Sequence, residues 1–261
     1  MEYQKVIHLK NIKTYHCLML CTKNGAVKIS VNGQHTLIPK GHIVFIEKYV
    51  NMQMSLYDDH YPLVVHLDEN TVKFIHEFLL SIVDYSQLSP CKGAGYFIRK
   101  APEEDIKLFD KIKEKVDSDF DFIKMKSSIN ISMLPGVIQL ILSFKSEIIN
   151  SISRQVKPNT RDKIIKIMSE DISKPWKVSM LSELLHVSEI SLRKRLESEG
   201  VNFMGLLVNL RMMNSLRLLT MTDYSINKIA IKCGYNSTSY FIKIFKGYFG
   251  VSPKRITESL R

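Results

Sequence analysis

The chain has 261 residues, with 37 Lys/Arg against 26 Asp/Glu and a formal net charge of +11. Its length allows one or two domains with a full hydrophobic core. A composition of 45% hydrophobic and 24% charged residues excludes a disordered or fibrous chain.

The basic excess calls for an acidic partner: nucleic acid, an anionic membrane or an acidic protein. It is concentrated at one end. Residues 157–261 hold 18 Lys/Arg and 9 Asp/Glu, a net of +9, whereas residues 1–156 carry only +2. A local footprint of this kind marks a nucleic-acid-binding half, against the plainer alternative of a basic solvated surface. Cys17, Cys21, Cys91 and Cys233 form no C-x-x-C pair, so buried reduced thiols are expected rather than a zinc site or disulfide framework. Met1–Lys10 has no apolar core of a signal peptide. The stretch Ile131–Phe144 is interrupted by Ser132, Pro135, Gly136, Gln139 and Ser143, and falls short of the roughly 18 apolar residues of a membrane span. A cytoplasmic protein with no membrane partner is expected.

Short apolar or alternating segments follow one another through residues 6–67: Cys17–Cys21, Ala26–Val31, His35–Ile38, Ile43–Glu47, Met52–Leu56 and Leu63–Leu67. Asn24-Gly25, Asn32-Gly33 and Pro39-Lys40-Gly41 separate several of them. This spacing predicts an antiparallel barrel or sandwich. From about Glu69 the period becomes helical: Val72, Ile75, Phe78, Leu79 and Ile82 form one face. Ile106, Phe109, Ile112 and Val116 form another, and Ile138, Leu142, Ile149 and Ile152 continue the spacing through 137–153. Gln155–Thr160, with Pro158, reads as a linker. Arg161–Ile172 reads as the first helix of an all-helical remainder.

Two blocks in that remainder carry the function. In Lys177–Gly200, Val178, Leu181, Leu184 and Leu185 predict a buried helix face. His186-Val187 forms a turn, and Ser188 is placed to cap the next helix, with Ser191 as the alternative cap. Ile190, Leu192 and Leu196 are expected to pack inward, leaving Arg193, Lys194 and Arg195 outside. In Ser225–Gly250, Ile226, Ile229 and Ala230 make a short helix, Gly234 permits a sharp turn, and Ser237 caps a helix over Thr238–Tyr248. Phe241, Phe245 and Phe249 are core, while Thr238, Ser239, Ile242, Lys243 and Lys246 lie on other faces. Between the blocks, Leu206, Leu207, Leu210, Met213, Leu216 and Leu219 mark a helix over Phe203–Met221. Its 19 residues span roughly 28 Å, close to the ~34 Å between successive major grooves on one DNA face. Two helix-turn-helix units on such a spacer reach adjacent grooves without dimerisation.

The second block reads Ile226-x-x-Ile229-Ala230-x-x-x-Gly234-Tyr235-x-Ser237-x-Ser239-Tyr240-Phe241-x-Lys243-x-Phe245-Lys246-x-x-x-Gly250-x-Ser252-Pro253. It resembles the signature of the AraC/XylS family of transcription regulators. Residues 191–200 resemble that family's enterobacterial virulence-activator branch. The strong match covers roughly 160–258. Lys243 stands where many relatives have Arg, which removes a bidentate guanine contact, and Ile256 stands where an aromatic residue usually follows Ser-Pro. The resemblance implies base-facing Arg193 and Lys194 in the first reader, with Ser191 at the head of the same helix. It implies Thr238, Ser239, Tyr240 and Lys243 in the second, with a core role for Tyr240 as the alternative. Lys246 is assigned to a phosphate.

The segment Gly33-x5-Pro39-x-Gly41 is similar to part of the second cupin motif. Metal-dependent cupins carry a histidine near position 44, where Val44 stands, and a His-x-His that this chain lacks. No metal site, cofactor or enzymatic activity is therefore expected. By resemblance, such a barrel holds a fatty acid or other small carboxylate through basic side chains. The matching strands carry Tyr15 and His16, and later His66, with Arg193 or Lys194 of the first reader touching the head group. Imidazoles would hold a carboxylate less well above about pH 6.5.

The expected architecture is α+β. Residues 1–156 form an effector-binding and dimerisation domain, with a cupin-like barrel at about 6–67 and helices at about 70–153. Residues 157–261 form an all-α DNA-binding domain. Its helix-turn-helix units lie at about 178–199 and 225–249, joined by the helix 203–221. The expected partners are double-stranded promoter DNA, RNA polymerase and a second copy of the chain. The expected function is activation of transcription, including virulence or colonisation genes. A repressor of the same fold and a cupin-type small-molecule enzyme are the alternatives.

Overall fold

The computed structural model describes residues 6–57, 60–82, 95–118, 129–144, 147–156 and 159–259. The chain divides into two compact units: Met1–Ile7 with Thr14–Lys157, and His8–Lys13 with Pro158–Arg261.

The strands are β1 (Val6–Lys13), β2 (Cys17–Cys21), β3 (Val27–Val31), β4 (Gln34–Ile38), β5 (His42–Ile46), β6 (Asn51–Tyr57), β7 (Leu63–Leu67) and β8 (Tyr96–Lys100). They form two four-stranded sheets, ordered β1-β6-β3-β4 and β7-β2-β5-β8. The expected barrel is thus two sheets rather than one closed ladder. A hydrogen bond between Thr36 Oγ1 and the Tyr96 hydroxyl, at 2.8 Å, links β4 of one sheet to β8 of the other. The β3–β4 hairpin pairs Val31 with Gln34 and turns on Asn32 and Gly33, both at positive φ (50° and 81°), the backbone that a two-residue Asn-Gly turn demands.

Two strands escaped the sequence pattern. In β1 the buried residues are Ile7, Leu9 and Ile12. The alternation slips because Asn11 sits at φ 53° and spends one residue out of phase. Strand β8 is short and mostly half-buried, so it shows no apolar alternation.

Strands β2 and β5 are buried at nearly every position, so their sheet is covered on both faces. Cys17, Met19, Cys21, Ile43 and Phe45 join a core built with helices α1 (Glu69–Ile82), α2 (Glu103–Ser118), α3 (Leu134–Leu142) and α4 (Glu147–Gln155). Leu18, Leu20, Val44 and Ile46 are buried on the opposite face. Helix α1 buries Val72, Ile75 and Leu79 as expected, but Phe78 and Ile82 are exposed. The single helical run expected over 137–153 is instead α3 and α4. The Ser143 hydroxyl donates to Gln139 O and the residue stands as the cap of α3. Residues 145–146, and Lys157 and Pro158 of the expected linker, lie outside the described residues.

The second unit contains α5 (Thr160–Met168), α6 (Val178–Leu184), α7 (Glu189–Ser198), α8 (Phe203–Met221), α9 (Ile226–Lys232), α10 (Thr238–Phe249) and α11 (Pro253–Ser259). Helix α5 ends earlier than the expected Ile172, and the chain turns there through Ile172 and Trp176, both buried. Helix α8 buries Met212, Ser215 and Leu218 besides Leu206, Leu207, Leu210 and Leu219. Met213 and Leu216, expected on its buried stripe, are only half-buried. Its apolar residues do not lie on one stripe because α8 packs against both α9 and α11. Ile256 fills the core completely, so an aromatic residue is not needed there.

A buried ion pair ties the helices of the first unit to its sheet. Arg99 of β8 meets Asp105 at the head of α2 at 2.8 Å, with side chains only 11% and 9% exposed. The guanidinium also lies 5.1 Å from the Phe144 ring centroid. Removing one partner strands the other charge in a low-dielectric site. Asp105→Ala is expected to cost about 3–5 kcal/mol of stability, read from urea unfolding curves.

Candidate nucleic-acid interface

Each helix-turn-helix unit is a short helix, a turn with one residue at positive φ, and a capped longer helix. In the first, α6 leads to His186 at φ 53°, and Ser188 Oγ accepts the Ser191 N–H at the head of α7. In the second, α9 leads to Gly234 at φ 78°, and Ser237 Oγ accepts the Tyr240 N–H at the head of α10. The caps are the expected ones. The second turn is one residue longer, since two residues separate Gly234 from its cap and one separates His186 from its own.

Helix α7 buries Leu192 and Leu196, each 1% exposed, and exposes Arg193, Lys194 and Arg195. Arg193 is paired to Glu189 one turn back at 3.6 Å across an exposed surface, a contact weak enough to exchange for an anion. Ser191 is half-buried beside the cap. Helix α10 buries Phe241, Phe245 and Phe249 completely, with successive ring centroids 5.7 and 4.6 Å apart. Ser239, Tyr240, Lys243 and Lys246 are exposed. Tyr240 is 57% exposed, so the core alternative for it is corrected: its ring leans on Tyr235 at 6.2 Å and stays outside. Thr238 is half-buried and donates its hydroxyl proton to Asn227 Oδ1 at 2.7 Å. It ties α9 to α10, leaving its oxygen only as an acceptor.

Two expectations of inward packing fail here. Leu184 is 55% and Ile190 69% exposed. At 100° per residue, Val178, Leu181, Ser182 and Leu185 share one arc of α6, and Leu184 falls beside it. Ile190 precedes Leu192 by two residues, which turns it to the far side of α7. Counting phase along the helix would have found this.

Tertiary structure adds residues that no local pattern showed. Glu199, just past α7, accepts the Thr160 and Arg161 N–H groups at 2.9 Å each, satisfying orphan donors of α5. Arg161 returns a hydrogen bond from its guanidinium to Glu199 O. Arg211 of α8 donates to Ile172 O and Lys174 O ahead of α6 and lies 5.6 Å from the Tyr235 ring in the second turn. Tyr248 of α10 donates its hydroxyl to Asn209 of α8 at 2.8 Å. Cys233 is fully buried, and burial pushes its thiol up to about 12, so it is an inert packing residue rather than a nucleophile.

The remaining candidate residues lie in the first unit. His66 pairs directly with Leu18 across β2 and β7, and His16 precedes Leu18 by two residues. His66 therefore belongs to the Leu18 face of that sheet, opposite the face packed on the helices, while His16 stands in the bend just before β2. Each is half-buried. Tyr15, also half-buried, meets Tyr49 edge to face at 6.5 Å. Among the described residues no group of three His, Cys, Asp or Glu is placed to hold a metal ion, and no helix is long and apolar enough to cross a membrane.

Two capped helices, each with an aliphatic or aromatic inner face and exposed cations, define a regulator that reads duplex DNA. Comparisons with known proteins agree. A helix-turn-helix domain model matches residues 181–259. The virulence regulon transcriptional activator VirF of Shigella flexneri is 30% identical, covering 98% of this chain and 96% of its own length. The HTH-type transcriptional activator CsvR of Escherichia coli is 29% identical over 97% of this chain and 95% of its own length. Among solved structures, unsaturated fatty acid-bound ToxT of Vibrio cholerae superposes with a TM-score of 0.67 at 18% identity, covering 99% of this chain and 92% of ToxT. This likeness establishes the fold. The chain belongs to the AraC/XylS family of DNA-binding transcription activators, on the branch that includes VirF.

The second turn yields a test. A Cβ on Gly234 would stand 2.7 Å from Ser173 O and 2.6 Å from the Arg211 guanidinium, on top of the positive-φ cost. Gly234→Ala is expected to lose at least about 2 kcal/mol and to weaken DNA binding. His186→Gly, at the exposed equivalent position, should change stability by less than about 1 kcal/mol. Thermal melting of the two variants distinguishes the positions.

Proposed function

We propose that this regulator activates promoters of virulence or colonisation genes, and that a small carboxylate held in its first unit sets its activity. The observation that carries the DNA reading is the equivalent placement of Lys194 and Lys243. Each is exposed two residues after the first buried residue of its helix, Leu192 or Phe241, in a segment of net charge +9. The spacer α8, of 19 residues, suits two adjacent grooves. Arg193 and Lys194 serve the first reader, Ser239, Tyr240 and Lys243 the second. Lys246 meets a phosphate, and Ser191 and Thr238 support the helix heads. Activation requires contact with RNA polymerase, and residues 1–156 serve as the effector-binding and dimerisation part of a cytoplasmic homodimer. The target class is supported by the likeness to VirF, a virulence regulon transcriptional activator.

Control by a carboxylate rests on ToxT, which is fatty acid-bound in its solved structure, and on His66, half-buried on the face of its sheet away from the helices. His16 and His66, with Tyr15, are the side chains of this unit assigned to the carboxylate.

The first reading is tested by fluorescence anisotropy on an A/T-rich promoter duplex and a scrambled one across a salt series. Wild type should discriminate between them with a steep salt slope. Arg193→Ala with Lys243→Ala should lose about 1–3 kcal/mol of discrimination per base contact. Equal binding of both duplexes, unchanged by the substitutions, would reduce the site to a generic basic surface.

The second reading is tested by melting with saturating decanoate or oleate. Ligand should raise the melting temperature at about pH 6 and at about pH 7.5. No change at either pH removes the effector.

A further inference from the structure

We infer that Ile190 is a specificity-determining residue of the first reader, recognising the C5-methyl group of thymine. The inference rests on the DNA-binding reading above. Ile190 is the second residue of α7, directly after Glu189, and is 69% exposed. Helix phase places Leu192 and Leu196 on the inner side. Lys194 lies about 180° and Ile190 about 140° from their midpoint, whereas Arg193 is only about 80° away. Lys194 therefore lies on the outermost line of the helix and Ile190, one turn before it, close beside that line, at the N-terminal end that enters a major groove first.

A lone exposed aliphatic residue elsewhere would call for no explanation. Here it stands among Glu189, Arg193, Lys194, Arg195 and Glu197, all exposed. It offers no hydrogen bond, so the feature of a base edge that it matches is the thymine methyl. The second reader supplies an internal contrast. Its Lys243 corresponds to Lys194, and the residue one turn before it is Ser239, a hydroxyl where the first reader has a branched aliphatic group. The two half-sites should therefore differ in their dependence on thymine methyls, although both readers carry lysine at the same place.

The test uses the full chain and a duplex selected from a random pool by wild type. Each thymine is replaced in turn by deoxyuridine, which keeps the hydrogen-bonding edge and removes only the methyl. At one or two thymines, all within one half of the site, wild type should bind about fourfold more weakly per methyl lost. Ile190→Ala should bind the thymine and deoxyuridine duplexes equally, and Ile190→Val should retain most of the difference. Neither variant should change the melting temperature appreciably, since the residue is 69% exposed. Methyl-independent binding by wild type would overturn the proposal while leaving specific DNA binding intact. So would the same methyl dependence in Ile190→Ala. Failure to select any preferred sequence would overturn the DNA-binding reading, and this proposal with it.

Discussion

The spacing of the two readers depends on α8, and α8 works as a spacer because it is held from more than one side. A 19-residue helix exposed to water on three sides would be marginal and free to rotate between its neighbours. Here Met212, Ser215 and Leu218 are buried as fully as the leucines, and packing on α9 and α11 fixes the rotation about its axis. Arg211 adds a polar latch from its middle. One guanidinium donates to two carbonyls ahead of α6 and lies against Tyr235 in the turn before α10. Disturbing α8 would shift both readers together, whereas a change in one recognition helix alters only its own contacts.

The recognition helices solve one problem with different means. A helix that offers cations to a groove must be anchored through its other face. Helix α10 uses three stacked phenylalanines and the Tyr248–Asn209 bond. Helix α7 has only Leu192 and Leu196 fully buried, and the Glu199 clamp on α5 supplements them. That clamp satisfies the N-terminus of α5 internally, so this helix end does not offer its free amides to a phosphate.

In the first unit the two faces of one sheet differ in what covers them. Odd-numbered residues of β2 and β5 meet the helices, while Leu18, Leu20, Val44 and Ile46 lie on the other side. The pairing of His66 with Leu18 then places His66 on the face away from the helices. That placement follows from register, because a slip of one residue would send His66 into the helical core.

Much of this was legible in the chain. The alternating segments and the Asn32-Gly33 turn specified most strands, because turn chemistry and period two are local. Ser188 and Ser237 announced the recognition helices, because a cap is a contact within one turn. The +9 segment and the signature from Ile226 to Pro253 marked the DNA-binding half. The exposure of Ile190 was also present, in the phase between positions 190 and 192. Strand β1 was hidden because one left-handed residue, Asn11, breaks its alternation. Tertiary structure alone decided what distant segments share: the double-sided burial of α8, the reach of Arg211 to two turns, the Glu199 clamp and the buried Arg99–Asp105 pair. Local patterns reflect interactions between residues a few positions apart, whereas these contacts join residues brought together only when the chain packs.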